Sequence, residues 1–252
     1  MSALVSLVGA GPGEADLLTL KAAKRLGEAD LVLYDGLVDP DVLKLAGKAR
    51  RFYVGKRAGR KGIEQETINH LMIRAAQRGE RVVRLKCGDP FVLGRGGEEA
   101  LALAEAGIPF EVVPGISAAV AAPALADIPV THRGIASGFL VVSGHSESVY
   151  RPIIDSLAPG SVTVVVLMGL ATRAQFAQAM LERGWKASTP AAIAFAASTA
   201  RSQTWLGSLG ELGRAPIPDE LTGAPATLCI GEVVSLSARL AQARGLRRVR
   251  AS

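Results

Sequence analysis

The sequence is poor in aromatic residues, cysteines and long hydrophobic runs, and each shortage argues against a class of protein. Aromatic residues make up 4% of the 252 residues and are not interleaved with basic ones, so nothing supports nucleic-acid binding. Two cysteines, Cys87 and Cys229, are too few for a disulfide scaffold, and we expect reduced thiols. The longest apolar stretch, 118–126, is too short to cross a bilayer. We therefore expect a cytoplasmic protein with neither a membrane nor a nucleic acid as partner.

Histidine is also scarce, and the N-terminus lacks the features of a leader. The three histidines, His70, His132 and His145, do not have the spacing of a metal site, so we predict no metal. The opening residues, MSALVSLVGA, run into a glycine turn without a basic region, so we expect no signal peptide.

The formal net charge of +6 is concentrated at one end of the chain. Four arginines and no acidic residue lie in the segment 244–252. A short tail of this kind is typical of a solvated terminus, and the remaining chain is only mildly basic. We treat residues 244–252 as a basic tail outside the folded domains.

Hydrophobic residues and glycine, by contrast, are plentiful, and their pattern predicts an α/β fold. Hydrophobic residues make up 49% of the chain, which contains 28 glycines. In the first half, apolar runs alternate with helical patterns, which is typical of a parallel sheet covered on both faces. The predicted strands are 4–9, 31–34, 51–55, 82–85 and 110–113, and the predicted helices are 19–29, 39–46, 64–79 and 97–106.

The second half begins at 114–134, where the composition changes to small residues. Strands are predicted at 139–144, 162–167, 191–195, 203–206 and 226–230, and helices at about 172–183 and 233–243. The sequence therefore predicts two α/β domains, 1–116 with a mainly parallel sheet and 117–243 with a mixed sheet. We expect a ligand cleft between them.

Two glycine-rich loops follow predicted strands of the first half. The first, VGAGPGEADLLTL at 8–20, is a poor dinucleotide fingerprint, because Glu14 stands at the third glycine position and Pro12 lacks an N–H. NAD binding therefore stays a weak alternative. The second, KCGDPFVLGRGGEE at 86–99, offers Gly88 for close approach and Asp89 as a carboxylate. Both loops lie at carboxyl ends of parallel strands, where ligands collect.

Arg95 and Glu98 lie three residues apart near a predicted helix start, and two interpretations are open. Both side chains could face one cleft and act on a ligand. Alternatively, Glu98 and Glu99 complement the helix dipole and have no further role.

Seven segments carry a resemblance to a known family. In chain order they are VGAGPGEADLLTLKA, YDGLV, VGKRAG, VVRLKCGDPFVLGRGGEE, VPGISA, IPVTHRG and VVLMG. Together they resemble the uroporphyrinogen-III C-methyltransferase branch of the tetrapyrrole methylase family, over residues 4–235. We expect no additional domain such as the dehydrogenase/ferrochelatase half of sirohaem synthase.

The resemblance implies a homodimeric methyltransferase that uses S-adenosyl-L-methionine and releases S-adenosyl-L-homocysteine. Its substrate would be uroporphyrinogen III, methylated at C2 and C7 to give precorrin-2 by way of precorrin-1. Cobalamin, sirohaem and haem d1 synthesis all begin there, and the sequence does not choose among them. The cofactor contacts implied are Pro12, Cys87, Gly88, Asp89, Val92, Ser117, Ala118, Met168, Ala197 and Ala226.

The same resemblance implies roles for charged residues. Asp35 would accept a proton and Lys56 would donate one, although a strand-end aspartate such as Asp35 often only caps the next helix. We favour Glu98 as the general base. Arg95 and Arg133 would bind the carboxylates of the substrate. Two further residues are expected near the substrate, Arg57 and His132.

Three positions depart from the family pattern. Cys87 replaces a glycine, which would cost about 1 kcal/mol if its φ were positive. Gly36 replaces an arginine, and Ala197 lies where many relatives carry Asn-Gly-Thr. None of these three changes removes a proposed catalytic group.

Three other functions stay open. The chain could be another corrin-pathway C-methyltransferase, although the Arg95/Glu98 pair and the segment 131–134 argue against it. It could methylate a macromolecule, as the diphthine synthase and ribosomal-RNA branches do. It could also be a cofactor-binding regulator, which would bind cofactor without turnover.

Overall fold

The computed structural model describes residues 5–55 and 63–243. The chain divides into two compact units between Ser117 and Ala118. Each unit contains one five-stranded sheet. Within the described residues, no helix is both long and apolar enough to cross a membrane.

The first unit is a parallel sheet flanked by helices. Its strands are β1 (Val5–Gly9), β2 (Leu31–Tyr34), β3 (Arg50–Tyr53), β4 (Val82–Lys86) and β5 (Phe110–Val113). Its helices are α1 (Leu20–Gly27), α2 (Pro40–Lys44), α3 (Gln65–Gln77) and α4 (Gly96–Glu105). The strand order is β3-β2-β4-β1-β5, and every pair is parallel.

Local sequence explains where the first two helices begin. Thr19 caps α1, because its hydroxyl accepts a hydrogen bond from the amide of Ala22 at 3.1 Å. Asp39 caps α2 in the same way, and Pro40 supplies the preset φ of a first helical residue.

The two faces of this sheet are covered by different helices. Ala22 and Leu26 of α1 pack with Val8 and Val83 on one face. Residues of α3 and α4, among them Met72 and Leu103, pack with Leu7 and Val82 on the other.

The strand order creates a switch point between β1 and β4. The connection from β1 to β2 crosses one face through α1, and the connection from β4 to β5 crosses the opposite face through α4. Neighbouring strands whose connections diverge in this way leave a crevice at their carboxyl ends, where open α/β sheets bind ligands.

The second unit has a mixed sheet. Its strands are β6 (Phe139–Ser143), β7 (Thr163–Leu167), β8 (Pro190–Phe195), β9 (Gln203–Ser208) and β10 (Ala226–Ile230), in the order β6-β7-β10-β8-β9. Only β6 and β7 run parallel, whereas the other three pairs are antiparallel. The predicted fold class, with a parallel first sheet and a mixed second sheet, is confirmed.

Between residues 118 and 243 the second unit has five α-helices, three of which the sequence did not predict. They are α5 (Ala118–Leu125), α6 (Glu147–Ser156), α7 (Arg173–Glu182), α8 (Leu209–Leu212) and α9 (Leu236–Ala243). Prolines inside α5 and α6, Pro123 and Pro152, obscure the helical pattern. Packing holds both helices in place, since Tyr150 of α6 is buried with its ring 4.7 Å from that of Phe176, and Ala119 and Ala122 of α5 lie in the core.

Candidate active site

Three loops approach one another closely at the carboxyl edge of the first sheet. They follow β1, β4 and β5, and glycines stand where they meet. A Cβ added to Gly115 would lie 2.3 Å from the carbonyl oxygen of Gly88, and one added to Gly9 would lie 2.5 Å from the amide nitrogen of Gly115. Only glycine therefore allows these backbones to pack together.

The first two loops are joined by direct hydrogen bonds at the switch point. The amide of Gly88 donates to the carbonyl of Gly11 at 2.8 Å, and the amide of Gly11 donates back at 3.2 Å. Gly88 adopts the left-handed conformation with φ 67°, whereas the preceding Cys87 has no positive φ. The backbone cost considered for Cys87 is therefore absent. Burial raises the pKa of the Cys87 thiol to about 11, which keeps it neutral.

The Asp89 carboxylate ties two loops together. One of its oxygens accepts from the amide of Phe91 at 2.8 Å, and the other accepts from the amide of Gly115 at 3.1 Å. Asp89 thus fixes the geometry of the glycine-lined crevice. The half-buried Pro12 lies beside it, directly after Gly11.

The segment after Asp89 carries exposed apolar residues and an unusual backbone. Phe91, Val92 and Leu93 are all exposed. Leu93 and Arg95 have φ of 52° and 59°, which side-chain-bearing residues rarely adopt and which costs about 1 kcal/mol or more each. Strain of this kind persists where the surrounding structure enforces it, and it clusters at functional sites.

Arg95 and Glu98 form an exposed ion pair at the start of α4. The guanidinium of Arg95 donates to both carboxylate oxygens of Glu98, at 2.9 and 2.6 Å. This hydrogen bonding lowers the pKa of Glu98 and holds its carboxylate in the ionised form, and loss of the ion pair would make it a stronger proton acceptor. The structure thus brings together the two residues singled out by spacing, and leaves both exposed to solvent.

A buried cluster of charges that the sequence analysis missed lies under these loops. One terminal nitrogen of Arg84 donates hydrogen bonds to both carboxylate oxygens of Asp35, at 2.7 and 2.9 Å, and its Nε donates to Glu99 at 2.8 Å. Lys86 also contacts Glu99, at 3.1 and 3.2 Å. Glu99 is fully buried, so it is a counter-ion of this cluster rather than only a partner of the helix dipole. The signal in the sequence was the charge at alternate positions of a buried strand, Arg84 and Lys86.

In the second unit, the predicted contacts Met168, Ala197 and Ala226 share one edge of the sheet. They lie at the carboxyl ends of β7 and β8 and at the start of β10, which runs between those strands. Met168 has φ 58°, and Ala197 lies between two residues with φ 44° and 61°. Of six non-glycine residues with positive φ in the described ranges, five lie in this edge or in the loop after β4.

The other predicted site residues are scattered. Ser117 and Ala118 stand at the junction of the two units, where α5 begins. His132 and Arg133 lie in an exposed turn closed by backbone hydrogen bonds between His132 and Ala136. Two predicted residues, Lys56 and Arg57, lie outside the described residues, as does the basic tail.

The chain resembles known proteins along most of its length. Residues 4–213 match the family described as Tetrapyrrole (Corrin/Porphyrin) Methylases. A siroheme synthase of Actinobacillus succinogenes is 46% identical over 239 residues, which are 94% of this chain and 50% of that protein. A siroheme synthase of Azotobacter vinelandii is 46% identical over 96% of this chain and 52% of that protein. The chain thus spans about half the length of the curated relatives it matches.

A solved structure is similar over nearly its whole length. The crystal structure of uroporphyrin-III C-methyl transferase from Thermus thermophilus, complexed with S-adenyl homocysteine, superposes with a TM-score of 0.78. The two sequences are 42% identical, and the match covers 92% of this chain and 99% of that one.

Proposed function

The chain belongs to the tetrapyrrole methylase family, as its motifs predict, and from this premise we propose that it is an S-adenosyl-L-methionine-dependent C-methyltransferase acting on uroporphyrinogen III. The product is precorrin-2, methylated at C2 and C7. The proposal draws on the similar Thermus thermophilus enzyme, whose structure contains the demethylated cofactor.

The observation that carries this proposal is the glycine-lined crevice at the switch point between β1 and β4. Gly9, Gly88 and Gly115 bring three backbones together at the edge where open α/β sheets bind ligands. The crevice lacks the run of free amides with which a dinucleotide loop binds phosphate, since Pro12 has no N–H and Gly11 already donates to Gly88. A ligand without phosphates fits such a site.

The residues predicted to hold S-adenosyl-L-methionine suit that ligand. Around the crevice they are Pro12, Cys87 and the backbone of Gly88, with Val92 in the loop beyond. In the second unit they are Met168, Ala197 and Ala226, of which the last two have short side chains. When bound, the cofactor supplies a methyl group already activated by its sulfonium. The protein therefore has to provide position and exclude water.

The charged residues act on the substrate. Uroporphyrinogen III carries several carboxylates, which match the guanidiniums of Arg95 and Arg133. A substrate carboxylate that takes over Arg95 releases Glu98 from its ion pair. Each C-methylation places a methyl group on a pyrrole carbon that bears no hydrogen, so the proton that must leave comes from the pyrrole nitrogen. Glu98 and Asp35 are the carboxylates that accept these protons.

An anaerobic incubation tests this proposal. The purified chain is mixed with uroporphyrinogen III and S-adenosyl-L-methionine, and the products are analysed by mass spectrometry. We expect the tetrapyrrole to gain two methyl groups while one S-adenosyl-L-homocysteine forms per transfer. Cofactor binding without transfer would contradict the proposed substrate and favour a later corrin intermediate, a macromolecule or a regulatory role.

The active enzyme is further proposed to be a homodimer. Sedimentation of the chain at several concentrations tests this, and a monomer with full activity would refute it.

A further inference from the structure

The buried charges below the candidate active site are arranged around one carboxylate. Glu99 has no exposed surface, and one of its oxygens accepts hydrogen bonds from Arg84, Lys86 and Gln65 at 2.8, 3.2 and 3.1 Å. Arg84 and Lys86 are themselves 2% and 3% exposed. Two cations and one anion would leave a net charge inside the protein, which is costly unless a further anion balances it.

That further anion is Asp35, at the carboxyl end of β2. Arg84 lies between the two carboxylates: its Nε donates to Glu99, and its outer nitrogen donates to both oxygens of Asp35. The Asp35 side chain is 30% exposed, whereas Glu99 is inaccessible. Arg84 therefore joins a fixed internal carboxylate to one that solvent or a substrate can reach.

The backbone also fixes Arg84. It donates from a further nitrogen to the carbonyls of Leu33 and Leu85, at 3.4 and 3.2 Å, so its guanidinium is held from several sides. Burial opposes the charge on Arg84, but the carboxylates of Glu99 and Asp35 outweigh it and raise its pKa. The guanidinium is a permanently charged, immobile partner for Asp35.

We propose that Arg84 is a positioning residue for the reaction, which orients the carboxylate of Asp35 and is itself anchored by the buried Glu99. The proposal rests on the proposed function, in which Asp35 accepts a proton. Arg84 touches neither substrate nor cofactor in this account. It acts by keeping Asp35 in one geometry, and a displacement of about 1 Å in a reacting group can lower a rate about 10²-fold.

Lys86 offers a matched control. It lies two residues further along β4, is equally buried and contacts the same carboxylate of Glu99, but it has no hydrogen bond to Asp35 among the described residues. Lys86→Met and Arg84→Met therefore both remove a buried cation from Glu99. Only Arg84→Met also releases Asp35.

The experiment measures kcat, KM and the affinity for S-adenosyl-L-homocysteine in both variants, in Asp35→Asn and in the double variant Arg84→Met/Asp35→Asn. We expect Arg84→Met to lower kcat about 10- to 100-fold with little change in KM or cofactor affinity. In the Asp35→Asn background the same change should alter kcat less than about threefold, because the two residues act as one unit. Lys86→Met should keep kcat within about twofold of the unmodified enzyme.

Two outcomes would overturn the proposal: equal loss of kcat in Lys86→Met, or a full additional loss on top of Asp35→Asn. If Arg84→Met does not fold, Arg84→Lys replaces it, since lysine keeps the charge but cannot reproduce the fork of the guanidinium. A crystal structure of Arg84→Lys gives a readout independent of turnover. If the Asp35 carboxylate is unmoved and well ordered in that structure, positioning by Arg84 is refuted. Failure of the proposed function is a separate result, because it would appear as the inability of the unmodified chain to methylate uroporphyrinogen III.

Discussion

Replacing Glu99 by glutamine should destabilise the first unit strongly, although the two side chains have the same shape. The buried carboxylate faces two cations, and Lys86 lies within 3.2 Å of both of its oxygens. Glutamine removes the negative charge and points an N–H group at one of these cations. Breaking a buried ion pair by removing one partner costs about 3–5 kcal/mol, because the remaining charge stays uncompensated.

That loss is large compared with the stability of a typical domain, about 5–15 kcal/mol, and predicts a fall in Tm of roughly 6–20 °C. The assay is urea unfolding followed by far-UV circular dichroism. Tryptophan fluorescence alone would not serve, because both tryptophans, Trp185 and Trp205, lie in the second unit.

The matched control is Glu105→Gln, at the exposed end of the same helix, which should change the free energy of unfolding by less than about 0.5 kcal/mol. A free energy of unfolding for Glu99→Gln within about 1 kcal/mol of that of the unmodified protein would contradict this prediction. It would mean that Arg84 and Lys86 do not depend on a charged Glu99.

Four further predictions concern the crevice, the general base, substrate binding and pH. Gly115→Ala should abolish binding of S-adenosyl-L-homocysteine in calorimetry, because the new Cβ would lie 2.3 Å from a carbonyl oxygen and push the loops apart. Glu98→Gln should bind that ligand normally but lose turnover about 10²-fold or more, whereas Arg95→Ala should raise KM for uroporphyrinogen III far more than it weakens cofactor binding. Hydrogen bonds from Arg25 lower the pKa of Glu111 to about 2, below its usual value of 4.5. Its stabilisation, about 2 kcal/mol, is therefore complete above pH 4.5 and lost as the pH falls toward 2, and Glu111→Gln should flatten this part of the stability profile.

Each of these predictions has a control or an outcome that contradicts it. Gly97→Ala is the control for Gly115→Ala, because its added Cβ meets nothing within 4 Å and should stabilise α4 by about 0.5–1 kcal/mol. If Gly97→Ala lost ligand binding as fully as Gly115→Ala, the close approach of the backbones at Gly115 would not be the cause. Unchanged turnover in Glu98→Gln would remove Glu98 as a base. A cofactor defect larger than the substrate defect in Arg95→Ala would move Arg95 to the cofactor. If the free energy of unfolding of Glu111→Gln fell with pH below 4.5 as it does in the unmodified protein, the ion pair of Glu111 would add no stability.

The first sheet was predictable because its strands and helices alternate without interruption. Every strand and α-helix described in the first unit begins within two residues of its predicted position. The second unit was harder to predict, because Pro123 and Pro152 disguise α5 and α6. Tertiary packing of small and aromatic residues stabilises those helices, and such contacts do not produce a recognisable pattern between neighbouring residues in the sequence.

The candidate site divides in the same way. Glycine loops and the spacing of Arg95 and Glu98 were visible because each depends on neighbours in sequence. The Arg84–Glu99 ion pair was not, because the strand at 82–85 reads as an apolar run and Glu99 lies on a different element, α4. The positive φ of Met168 could not be foreseen either, since methionine carries no preference for it.

The positions of the transferred methyl groups test directly whether the chain is a C-methyltransferase of uroporphyrinogen III. The chain is incubated anaerobically with uroporphyrinogen III and S-adenosyl-L-methionine labelled with carbon-13 in its methyl group, and the product is examined by NMR. We predict two labelled methyl groups, both bonded to ring carbons, at C2 and C7. Label on a nitrogen, on a carboxylate oxygen or on the protein itself would contradict it.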